Sequence, residues 1–127
     1  MKEVVRTKAA PAPFQGAPYS QAIKAAGLVF VAGQVSLQPD HTDISGDTIQ
    51  EQTEQVLANL RAILEAAGSG LDRLVKTTVF LQSLDDFQGM NEVYAKHVGE
   101  QPPARSTVEV AKLPSGALVE IEAIALA

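Results

Sequence analysis

Two segments of this chain, Leu28 to Val35 (LVFVAGQV) and Ala117 to Leu126 (ALVEIEAIAL), read as strands that carry apolar residues on both alternating faces. In the first, Phe30 and Ala32 fall on one face and Val29, Val31 and Val35 on the other. A strand with one wet face alternates apolar with polar residues, so these strands are expected to be covered on both sides. The chain supplies too few helices for that. Only two segments have helical periodicity, and two helices cover one face of a sheet. Either a second copy covers the other face in closed symmetry, or the sheet curls far enough to bury itself.

The remaining elements follow from local signals. Glu3 to Thr7 reads as a short strand. Pro11, Pro13 and Pro18 exclude a helix from the stretch after it. Tyr19 to Lys24 reads as a strand, Gly27 as a turn and residues 36–47 as a polar loop. Asp47 and Gln50 form a candidate capping box for a helix from Thr48 to Ala67. Val56, Leu57, Leu60, Ile63, Leu64 and Ala67 line one stripe of that helix, and Gly68 follows as its stop. Leu74 to Gln82 is a β-branched and aromatic strand. A second helix from Asp86 to Val98 points Phe87, Met90, Tyr94 and Val98 inward, and Ser106 to Leu113 is a further strand. The order β-β-β-α-β-α-β-β predicts one α+β domain over residues 1–127, with a mixed sheet and two helices on one face. With no Trp, its core is expected to be aliphatic, with Phe14, Phe30, Phe80 and Phe87 as the large pieces.

Several functions are disfavoured. A net charge of −5 and ten scattered Lys and Arg residues give no basic patch for nucleic acid. The chain has no cysteine, which removes disulfides, thiolate metal sites and cysteine nucleophiles. His41 and His97 have no second ligand at metal spacing. No apolar run reaches the length of a signal peptide or membrane span, so a cytoplasmic location is expected.

Two charged residues remain as candidates for chemistry. Arg105 follows Pro102-Pro103-Ala104 and opens a strand. It is either a structural partner for a nearby carboxylate or a planar fork for a ligand carboxylate. Glu120 shares a strand face with Glu122, and Ile124 and Leu126 continue that face. If the face is solvated, both glutamates are ordinary. If it is covered, Glu120 needs a partner or a task, and burial raises its pKa toward that of a proton carrier.

Several motifs in order make the chain resemble the RidA/YjgF family over roughly residues 9 to 125. They are Gly16-Ala17-Pro18-Tyr19-Ser20-Gln21-Ala22, Val31-Ala32-Gly33-Gln34-Val35, Gln52 to Leu60, Ala66-Ala67-Gly68, Val75 to Leu81, Asp86-Phe87 with Asn91-Glu92-Val93-Tyr94, Pro103-Ala104-Arg105-Ser106, and Leu113-Pro114 leading into Val119-Glu120-Ile121-Glu122-Ala123. The resemblance implies a chorismate-mutase-like fold whose sheets form the barrel of a homotrimer. It also implies hydrolysis of reactive enamines and imines, such as 2-iminobutanoate and 2-iminopropanoate, to 2-oxoacids and ammonia. No cofactor or metal is implied.

Clefts between subunits are the expected active sites. By resemblance Arg105 binds the substrate carboxylate, Glu120 positions the attacking water and Tyr19 stands at the cleft. The backbone amides of Gly33 and Thr107 help hold the carboxylate, and Asn91 lines the pocket. Ala32 stands where many members carry serine, and Thr107 where several carry cysteine. Competing expectations are a non-catalytic small-carboxylate binder, a chaperone-like protein, and a deaminase confined to one pathway's enamine.

Overall fold

The computed structural model describes all residues, 1–127. Its elements are β1 (Glu3–Val5), β2 (Ala22–Ala25), β3 (Leu28–Gln34), α1 (Ile49–Ala66), β4 (Leu74–Leu81), α2 (Phe87–Val98), β5 (Ala104–Glu109) and β6 (Val119–Leu126). The expected element order holds. They form one six-stranded sheet in the order β1-β2-β3-β6-β4-β5. Only β4 and β5 pair in parallel; every other neighbouring pair is antiparallel.

The topology explains why both helices share a face. β3, β4 and β5 all run in one direction, with β6 inserted antiparallel between β3 and β4. The crossovers through α1 and α2 both step the same way across the sheet. Parallel crossovers are right-handed, so two steps in one direction put both helices on the same side. Val29 and Val31 of β3, Thr77, Val79 and Leu81 of β4, and Val119, Ile121, Ala123 and Ala125 of β6 face that side and are buried. Leu57, Leu60, Ile63 and Leu64 of α1 and Met90 of α2 close over them.

The opposite face is bare in the single chain. Register places Val4, Ile23, Phe30 and Ile124 across it, with Leu28 beside Leu126 and Phe80 beside Val108. Phe30 is 41% exposed, and Val4, Val108 and Leu126 are exposed too. The sheet therefore does not curl to bury its own second face.

Several local expectations need correction. The core is aliphatic, but none of the four phenylalanines is fully buried: Phe30 and Phe80 lie on the bare face, and Phe14 and Phe87 sit at the margins. The capping box is one residue later than expected. Thr48 Oγ1 accepts from the Glu51 N–H at 3.1 Å, and Glu51 Oε1 accepts from the Thr48 N–H at 3.1 Å. Bonds to the Glu51 carboxylate from the Asp47 N–H, the Thr48 N–H and the Thr48 hydroxyl hold it below its ordinary pKa. β2 starts at Ala22 because Tyr19 turns out to the surface. Its hairpin to β3 turns at Ala26 and Gly27, both at positive φ. β1 ends at Val5, β5 spans Ala104–Glu109 rather than Ser106–Leu113, and β6 begins at Val119 rather than Ala117.

Polar residues on the buried stripe of α1 do the tying of loops. Asn59 is fully buried; its amide donates to the Val35 and Leu37 carbonyls at 3.2 and 2.9 Å, and its oxygen accepts from Gln55 at 2.9 Å. Gln52 donates to Gly46 O at 3.1 Å and accepts from the Leu118 N–H at 2.9 Å. The substitution Asn59→Ala strands the Leu37 carbonyl and removes one of two bonds to that of Val35, and is expected to cost about 2–3 kcal/mol of stability. Urea unfolding measures it, and a loss under about 0.5 kcal/mol would contradict the assignment.

Candidate active site

The residues singled out in the sequence separate into two groups on opposite faces of the sheet. Register decides this. Arg105 pairs across strands with Thr77, which lies on the helix-covered face. Glu120 pairs with Phe80, three residues further along β4 and so on the bare face. Within one chain the guanidinium and the carboxylate do not meet.

The first group surrounds Glu120. A cleft of about 110 Å³ is lined by Pro11, Ala12, Phe14, Tyr19, Gly33 to Val35, Leu37, Pro114, Ser115 and Glu120. Its outer wall is the proline-rich segment before β2, which cannot pair as a strand. Gln21 pins that segment instead: its amide donates to the carbonyls of Thr7, Ala10 and Pro11 at 3.1, 3.3 and 2.8 Å, and its oxygen accepts from the Thr7 N–H at 2.7 Å. The Tyr19 ring is 45% exposed, and its hydroxyl accepts from the Phe14 N–H at 2.8 Å. Its own proton is then free to be donated.

Gly33 is in this group because of space. It lies where the β3–β6 register slips, between Val31 and Gln34. A Cβ there would stand 2.6 Å from Glu120 Oε2, so only glycine lets the carboxylate lie against the strand. Ala32 precedes it on the bare face and is half-buried. Glu120 accepts no hydrogen bond from the chain, and burial, followed by the nearby Glu122 charge, raises its pKa.

The second group surrounds Arg105. Its guanidinium lies over the Tyr94 ring, 4.8 Å from the centroid, and 5.5 Å from that of Phe87. The chain's one contact at salt-bridge distance is between His97 and Glu54 at 3.2 Å, so Arg105 has no carboxylate partner within the chain. Within one chain, the structural alternative of an ion-paired arginine finds no partner. A second cleft, of about 390 Å³, is lined by Asn91, Tyr94, Ala95, Val98, Gly99, Pro102, Pro103 and Arg105. Asn91 Oδ1 and Thr107 Oγ1 are buried with no hydrogen-bond partner. Thr107 pairs with Val79 and shares the covered face with Arg105. Chemically, the Glu120 group is suited to handling a proton and the Arg105 group to accepting an anion.

Sequence reasoning missed the supports of both halves. Phe14, Pro114 and Ser115 wall the Glu120 cleft, yet they sit in turns that carry no periodic signal. Tyr94 and Phe87 read as core on helical spacing and instead also underlie Arg105. His41 lies on the surface, its Nδ1 bonded to the Pro39 carbonyl at 2.9 Å, and the largely buried His97 side chain bridges Arg61 and Glu54. No group of three or more potential ligands stands at metal-binding geometry. No helix is long and apolar enough to cross a membrane.

Comparison with known proteins places this arrangement. The model of the family Endoribonuclease L-PSP matches residues 7–127. The RutC family protein PH0854 of Pyrococcus horikoshii is 53% identical over 125 residues, which are 98% of each chain. The chloroplastic Reactive Intermediate Deaminase A of Arabidopsis thaliana is 49% identical over 124 residues, covering 98% of this chain and 65% of that one. The crystal structure of TM0215 from Thermotoga maritima superposes with a TM-score of 0.94 at 48% identity, covering 100% of this chain and 98% of that one. That of E. coli TdcF with bound serine gives 0.89 at 37% identity, covering 98% of each.

The raised pKa of Glu120 has a stability consequence. Below the ordinary carboxylate range both folded and unfolded states hold the proton, and nothing is lost. As pH rises through the folded value, ionisation costs more in the fold than outside it. Glu120→Gln is therefore expected to raise the unfolding midpoint at neutral pH, with the gain fading as pH falls through the ordinary carboxylate range. Thermal unfolding across pH 3 to 8 checks this. A gain independent of pH, or a loss at neutral pH, would contradict it.

Proposed function

The chain belongs to the RidA/YjgF (Rid, endoribonuclease L-PSP) family, and from that premise we propose that it hydrolyses small 2-imino acids, such as 2-iminobutanoate and 2-iminopropanoate, to 2-oxoacids and ammonia. The catalytic cleft in this reading is completed by a second copy of the chain within a trimer. One observation carries it: Arg105 and Glu120 both lack a partner of opposite charge, and one chain keeps them on opposite faces of its sheet. The bare apolar face supplies the driving force for association. Burying its exposed side chains recovers about 25 cal/mol for each Å² removed from water. Docking an edge of one sheet against the bare face of the next brings an Arg105 half to a Glu120 half.

The chemistry then follows from what each half holds. The substrate carboxylate docks on the edge of the Arg105 guanidinium, with the Gly33 and Thr107 amides beside it. A water oxygen attacks the imine carbon, whose nitrogen is protonated. Glu120 takes the proton that the water gives up. The proton held on Glu120 goes to the carbinolamine nitrogen, and the Glu120 carboxylate takes the hydroxyl proton as the C–N bond breaks, so that the 2-oxoacid forms, ammonia leaves and the last proton passes from Glu120 to ammonia or water. A carboxyl with a raised pKa suits both steps, because it is a stronger base toward the water and holds a proton closer to neutral pH, where it can pass it on. An iminium is already electrophilic, so no Lewis acid is required.

The named relatives agree with a small carboxylate ligand. The Arabidopsis relative bears the name of a reactive-intermediate deaminase, and the TdcF structure contains serine, which has a carboxylate and an amino group. The family model's description names an endoribonuclease, but a chain of net charge −5 with dispersed basic residues is poorly suited to a polyanion.

Coupling the protein to a threonine dehydratase and following imine decay tests the activity. Arg105→Ala and Glu120→Ala are each expected to lower kcat/KM by about 100-fold or more while the oligomer survives. Wild-type rates from an intact Arg105→Ala oligomer would overturn the mechanism.

A further inference from the structure

We propose that Tyr94, steadied by Thr77 and assisted by Phe87, is a positioning residue that holds the Arg105 guanidinium in the plane needed to receive a carboxylate. This rests on the reading that Arg105 binds the substrate carboxylate, and it adds residues that have otherwise only a packing role.

The geometry is specific. Thr77 and Arg105 are cross-strand partners on β4 and β5, so their side chains rise side by side from the covered face. Tyr94 descends on them from α2. Its hydroxyl meets Thr77 Oγ1 at 2.6 Å, and its ring lies 4.8 Å under the Arg105 guanidinium carbon. Phe87, seven residues earlier on the same face of α2, offers a second ring at 5.5 Å. Thr77 is 1% exposed and Tyr94 5%, so this support is dry and packed. Burial raises the Tyr94 pKa, and the Thr77 bond and the Arg105 charge oppose that rise without cancelling it, so the hydroxyl stays neutral.

An arginine at a strand edge has four side-chain torsions and would otherwise sweep a wide arc. A ring stacked on the planar cation removes that freedom at its face and leaves the N–H edge open. The edge is what a carboxylate uses in a bidentate contact. Cation–π attraction to tyrosine also strengthens when water is excluded, and the Tyr94 side of the contact is buried. The same neighbourhood holds Asn91 Oδ1 and Thr107 Oγ1, both buried and unpartnered, which is what a site lined to meet further polar atoms of a ligand looks like. Lysine could not take the place of Arg105, since it has neither the planar face nor the fork.

The test uses Tyr94→Phe, Tyr94→Leu and Phe87→Leu in the full-length protein, with two readouts. The first is the Arg105 side-chain N–H signal in ¹H–¹⁵N NMR of the unliganded protein, assigned by its loss in Arg105→Ala. The ring beneath it displaces this signal from the free-arginine position. Tyr94→Phe keeps the displacement, and Tyr94→Leu collapses most of it. The second is the kinetic split. Tyr94→Leu raises KM for the imine, and the inhibition constant of the product oxoacid, by about tenfold. Its kcat stays within about twofold, and Tyr94→Phe, which keeps the ring but loses the Thr77 bond, shows only a small part of the KM rise, because the ring is the main agent.

If Tyr94→Leu fails to fold, Phe87→Leu carries the test, with a smaller NMR displacement and a KM rise of about two- to threefold. An unmoved Arg105 signal, an unchanged KM in the folded leucine variants, or equal loss in Tyr94→Phe and Tyr94→Leu would overturn the proposal. A fully active Arg105→Ala variant would instead remove the functional reading, while the NMR result would still report whether Tyr94 orders the guanidinium.

Discussion

The handedness of two crossovers governs this molecule. β3, α1 and β4, then β4, α2 and β5, step the same way across the sheet, and right-handed connections put both helices on one side. A core of aliphatic side chains fills that side. The other side keeps Phe30, Ile124, Leu126 and Val108 without cover. The same division of the sheet separates the two charged residues on which the proposed chemistry depends. Arg105 rises among the helices and Glu120 lies on the bare side, so in this proposal what leaves the chain incomplete as a packed object also leaves it incomplete as a site.

Each half is built to keep its charge unspent. Gly33 removes the one side chain that would push the Glu120 carboxylate away from the strand. Burial without a hydrogen-bond donor then favours the protonated form. Arg105 has an aromatic floor in place of a carboxylate, which satisfies its face but not its edge. Pairing either residue inside the chain would stabilise the fold and remove its capacity to bind. Unsatisfied polar groups cost stability, and they persist where something outside the chain completes them. Asn91 Oδ1 and Thr107 Oγ1 fit the same pattern.

Much of the fold was legible because it rests on periodicity. The stripe of α1, the β-branched run of β4 and the doubly apolar β3 and β6 declare themselves within a few residues of chain. Boundaries were less legible, because caps depend on single hydrogen bonds: Thr48 and Glu51 close the box that Asp47 and Gln50 also fit on paper. The motifs located Arg105 and Glu120, but alternation along a strand does not say which face the helices cover, so their separation emerged only from the register. The roles of Gln52, Asn59 and Tyr94 were hidden for a different reason. Each sits at an apolar-stripe position, where helical spacing reports burial and is silent about what the polar atoms hold.

The central claim is that one working site needs an Arg105 and a Glu120 from different chains. Mixing subunits tests it directly. Arg105→Ala and Glu120→Ala proteins are unfolded and refolded together in equal amounts, and imine hydrolysis is measured in the mixed oligomers. Sites shared between chains regenerate an intact pair wherever the two variants adjoin in the right order, which random assembly provides at about a quarter of sites. The account predicts recovery of about that fraction of wild-type activity from two inactive parents. Mixed oligomers that form and stay inactive would contradict it.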